Sequence, residues 1–138
     1  MIRHAIIREN NILFDEVPAS NDMMFSLLTG LSANKIDVDQ AEVYCVTVCK
    51  GSITNKVSWR NLESRFNVNI RINEVLKKNG LPKNASLMYF IFQSLSFGFI
   101  KFLGFVYKAA ITGNLFVGWR SWFRTLFLNK RYKQYEVK

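Results

Sequence analysis

His4, Cys45 and Cys49 are the first residues to consider for metal or nucleophile chemistry, because the 138 residues contain one His and two Cys. A tetrahedral Zn²⁺ site needs four ligands, and two Cys at i, i+4 with a distant His do not supply them. In a strand the two thiols would stand roughly 13 Å apart, too far for a disulfide, and they read as buried, reduced thiols. Asp37-Val38-Asp39 lacks the Gly and the following Glu of a calcium loop. The chain has no phosphate-binding Gly loop and no nucleophile elbow, and His4 has no recognisable partner for base catalysis. Asn84-Ala85-Ser86 matches a glycosylation sequon but reads as a helix start. The expectation is a non-enzymatic protein with no catalytic residue, no metal and no cofactor.

Charge is the stronger signal. Lys and Arg number 19 against 10 Asp and Glu, a net +9. Residues 1–50 carry four basic and seven acidic side chains, a net −3. Residues 51–100 reach +5 and residues 101–138 reach +7. Such a gradient suits an anionic partner at the C-terminal end: lipid, nucleic acid or an acidic protein surface. Two Pro, seven Gly and 14% aromatic residues exclude a collagen-like or disordered chain. No signal peptide is visible at the N-terminus.

The positioning elements read as a mainly α (α+β) chain. Residues 2–7 and 12–17 pattern as short strands around an Asn10-Asn11 turn. Ser20 or Asn21 caps a helix through Met23, Phe25 and Leu28, with Gly30 as its stop. Residues 43–49 are a strand, or a helix capped by Asp37 or Asp39. Helices follow from Ser58 to Phe66 and from Ile70 to Lys78, with a corner at Asn67-Val68-Asn69 and a stop at Asn79-Gly80. The division is a small soluble body over 1–82 and an apolar-plus-basic part over 86–138.

Leu87 to Tyr107 is 21 residues with one charge, Lys101. As a single helix it would be about 30 Å long, the thickness of a bilayer core, and is a transmembrane candidate. Gln93, Ser94, Gly98, Lys101, Gly104 and Lys108 gather on one side, with Phe99, Ile100 and Leu103 among the apolar residues outside that stripe. Ser94-x-x-x-Gly98 is a close-approach spacing for helices in lipid. The rival is a helix buried in protein.

Residues 115–131 pattern as a basic amphipathic helix. Trp119, Trp122, Phe123 and Phe127 share its apolar face; Arg120, Arg124, Lys130, Arg131 and Lys133 form the cationic set. Trp with flanking Arg suits a helix lying among headgroups; the rival is a core-facing stripe with a solvated Arg rim, and binding to phosphates and unpaired bases is a further reading without a defined motif.

Leu62, Phe66 and Val68, with Asn67 at the turn, give residues 58–81 a pattern that resembles a helix-turn-helix segment of DNA-binding domains. The resemblance implies that Asn69, Arg71 and Asn73 point at the groove. Glu63 and Asn73 depart from it, standing where the family carries Ala and a buried Val or Ile.

Three functions follow as expectations. The first is a membrane-associated protein on the cytoplasmic side, anchored by residues 87–107 and 115–131 and binding anionic lipid. The second is a structural or internal component of a nucleoprotein assembly such as a virion, contacting neighbouring subunits and nucleic acid. The third is a DNA-binding protein acting through residues 58–81.

Overall fold

The computed structural model describes residues 2–38 and 58–120. These form helices, with no strand among the described residues: α1 (His4–Glu9), α2 (Asn21–Ser32), α3 (Trp59–Lys78), α4 (Met88–Ser94), a 3₁₀ turn at Leu95–Phe97, and α5 (Phe99–Ile111). The chain is mainly α. Two compact units, Met1–Val68 and Asn69–Lys138, each take part of α3. The sequence boundary at 82–86 lies in the α3–α4 connection. Residues 43–49, with both Cys, lie outside the described residues.

The N-terminal hairpin is replaced by α1. The Asn10-Asn11 signal acts as a helix stop: Asn11 holds φ +48, Ile12 N–H donates to Ile7 C=O at 3.0 Å, and Asn11 N–H donates to Arg8 C=O at 3.4 Å. That pair of bonds is the Schellman pattern, which satisfies carbonyls left over in the last turn. Asn10 Nδ2 adds a bond to Ile6 C=O at 2.9 Å, and Ile12 is buried. The same residue types serve a hairpin turn and a helix end, so local sequence did not separate them.

Two later ends repeat the pattern. Gly80 (φ +70) and Gly113 (φ +62) take the left-handed position. Leu81 N–H reaches Leu76 C=O at 2.9 Å, and Asn114 N–H reaches Ala109 C=O at 2.8 Å. Gly30, expected to stop α2, lies within a helix that continues to Ser32.

The first unit buries Ile12, Ala19, Met24, Leu62 and Phe66. Ser64 Oγ on α3 accepts from Ala19 N–H at 3.3 Å and donates to Ala19 C=O at 2.9 Å.

No corner interrupts α3. It starts with Ser58 Oγ accepting Asn61 N–H at 3.2 Å and runs unbroken to Lys78. Val68, Asn69 and Ile70 are all buried. Three consecutive buried positions span about 200° of a helix, so the helix is enclosed on most sides where the turn was expected.

The apolar stretch 87–107 is two helices rather than one. Gly98 sits at φ 120, ψ 150, a conformation that is essentially restricted to glycine. Here the chain leaves the 3₁₀ turn and starts α5, which packs against α4. Ser94 is buried, its Oγ donating to Ile91 C=O at 2.6 Å, and Gly98 lies outside the helix, so the Ser94–Gly98 spacing marks no helix face. No helix among the described residues is long and apolar enough to cross a membrane. Residues 115–118 form turns, with Gly118 at φ +66, so the amphipathic helix does not begin at 115. Residues 121–131 lie outside the described residues.

Candidate interaction surface

The α5 helix exposes apolar residues in a line. At about 100° per residue, Ile100, Leu103, Tyr107 and Ile111 fall within about 80° of one another. Their exposures are 86%, 48%, 68% and 65%. Phe105 and Ala109 occupy the buried side. Lys101 and Lys108 border the exposed line, both exposed themselves, with Lys101 Nζ 5.7 Å from the centre of the Phe97 ring. On the other border Phe99 is exposed and stacks with Phe102 at 6.0 Å.

Local contacts hold this helix in place. Lys83 Nζ donates to the carbonyls of Thr112 and Gly113 at 3.1 and 3.0 Å, placing a cation at the negative end of the α5 dipole. Asn73 fixes the connection leading to α4: its Nδ2 donates to Ala85 C=O at 2.8 Å and its Oδ1 accepts Ala85 N–H at 3.0 Å. Gly118 lies so close to this connection that an added Cβ would come within 2.9 Å of Ser86 Cβ.

The sequence-derived site residues fare differently. Phe99, Ile100 and Leu103 lie on or beside the α5 face, and Trp119 and Arg120 are exposed. Trp122, Phe123, Arg124, Phe127, Lys130, Arg131 and Lys133 lie outside the described residues. Of the three positions proposed to read DNA, Arg71 is exposed but Asn69 and Asn73 are buried, and Asn73 is committed to Ala85. The helix-turn-helix reading therefore loses both its turn and two of its reading residues. His4 lines an open crevice with Ala5, Arg8 and Glu9.

Tyr107 and Ile111 belong to the face but were missed, although they continue the i, i+3, i+4 spacing from Ile100. A further signal lies in the charges: no Asp or Glu occurs between Glu74 and Glu136, a stretch that holds ten Lys and Arg. The α5 face sits within this acid-free stretch. Compared with protein-family models, curated proteins and solved structures, the chain matches none of them.

Proposed function

We propose that the protein is a non-enzymatic membrane-surface protein that binds anionic lipid with α5 lying in the headgroup plane. The observation that carries this reading is the exposed line Ile100, Leu103, Tyr107, Ile111, bordered by Lys101 and Lys108. An apolar helix face of this kind inserts about 5–10 Å, while lysines at its edge keep their ammonium groups among the phosphates. Fully removing an Ile or Leu side chain from water contributes about 1.5–3 kcal/mol, so Ile100, Leu103 and Ile111 together outweigh a modest ordering cost. Anchoring is thus peripheral, on one leaflet. The basic aromatic segment from Trp119 onward adds cations and ring anchors to the same task.

An internal role in a nucleoprotein assembly would use the same Lys and Arg against phosphates and would cover Ile100 and Ile111 with a neighbouring subunit instead of lipid. The test is an environment-sensitive fluorophore on Ile100→Cys in a chain whose two native Cys are changed to Ser. Its emission is expected to shift to the blue on adding phosphatidylserine vesicles, while the same probe on Glu63→Cys stays unchanged. An unmoved probe at position 100 contradicts the reading.

A further inference from the structure

The first unit carries a surface of opposite character. Phe14 stacks face to face on Phe25, with ring centroids 4.1 Å apart and planes 5° from parallel. Phe14 is 57% exposed, and its neighbour Leu13 is 78% exposed. Phe25 is half-buried, so the uncovered apolar patch is made by Phe14 and Leu13. Acids neighbour it along the chain: Asp15 and Glu16 follow Phe14 directly, and Asp22 stands one helical turn before Phe25 on α2. No Lys or Arg occurs between Arg8 and Lys35.

One chain therefore carries an apolar patch in an acidic segment free of bases and a lysine-bordered apolar face in a segment free of acids. We infer that the protein self-associates head to tail, the Phe14–Phe25 patch of one copy taking the α5 face of a second copy. A symmetric pairing of two α5 faces would set Lys101 and Lys108 of both copies against each other, and two acidic patches repel likewise. The heterologous contact brings opposite charges together and removes both apolar surfaces from water. Such a contact repeats from copy to copy, giving a ring where the rotation closes and an open chain where it does not. The inference rests on the reading of α5 as a binding face. It adds that lipid and a second copy compete for that face, so anionic vesicles dissolve the assembly.

Sedimentation velocity on the full chain in low and high salt provides the test. The wild type is expected to grow in mass with concentration, less so in high salt. Glu16→Lys/Asp22→Lys, with two basic surfaces, and Lys101→Glu/Lys108→Glu, with two acidic ones, are each expected to weaken association by at least about tenfold. Mixing the two variants restores it, because each then offers what the other lacks, a recovery that damaged folding would not give. A wild type monomeric at all concentrations, association that survives either reversal, or a mixture that stays monomeric overturns the inference. The Glu16→Lys/Asp22→Lys variant keeps α5 intact and is expected to bind phosphatidylserine vesicles like the wild type, so failure of self-association and failure of membrane binding are read separately.

Discussion

Asn73 shows how a polar side chain comes to be wholly buried within a helix. Its amide presents one donor and one acceptor in the geometry of a backbone peptide, and Ala85 answers both at 2.8 and 3.0 Å. Asn73→Leu keeps the branched outline but leaves two backbone groups of Ala85 without partners, at about 1–3 kcal/mol each. Urea unfolding is expected to show a loss of about 2 kcal/mol or more, and an unchanged midpoint would mean that water replaces the amide. From the sequence, Asn73 was a polar residue on a helix, and polar residues on helices usually face solvent or a ligand. Its partner is 12 residues away on an irregular connection, which no local pattern encodes. Ile100 and Leu103 were legible because aliphatic residues at helical spacing define a face. The side of that face that meets water is a tertiary fact.

At the scale of elements, three helix ends use one device, a left-handed residue followed by a bond reaching back five positions. Asn79-Gly80 was readable as a stop because glycine adopts that conformation at little cost, and Gly113 takes the same position. Asn10-Asn11 was not, since asparagine pairs also make hairpin turns. Gly98 was the least readable, because glycine is common inside apolar helices in lipid and only its φ of 120 marks a break. A side chain at that φ is strained even though the space around it is open. Gly98→Ala is expected to lower unfolding stability by about 1–3 kcal/mol. Stability equal to the wild type would indicate that α4 and α5 join into one helix at no cost, and would argue against the break. The corner expected at Asn67–Asn69 failed for a different reason: residues that favour turns were overridden by burial of Val68, Asn69 and Ile70 in the middle of α3.

Across the whole molecule, charge and exposed apolar surface are distributed together. The acidic N-terminal third carries the Phe14–Phe25 patch, and the basic C-terminal part carries the α5 face. The charge gradient could be counted directly from the sequence. The apolar face could be read only in part, because its members were assigned to a spanning helix that the Gly98 break divides. With no spanning helix among the described residues, the account depends on α5 acting from one side of a bilayer, where burial of four apolar side chains and attraction to anionic headgroups act together. Vesicle flotation of the full chain tests this most directly, comparing phosphatidylserine-containing with purely zwitterionic vesicles and wild type with Ile100→Asp/Leu103→Asp. The wild type is expected to float with the anionic vesicles, to float less with the zwitterionic ones and to be released by high salt at alkaline pH, while the double variant stays at the bottom of the gradient. A wild type that never floats, or a double variant that floats equally well, would contradict it.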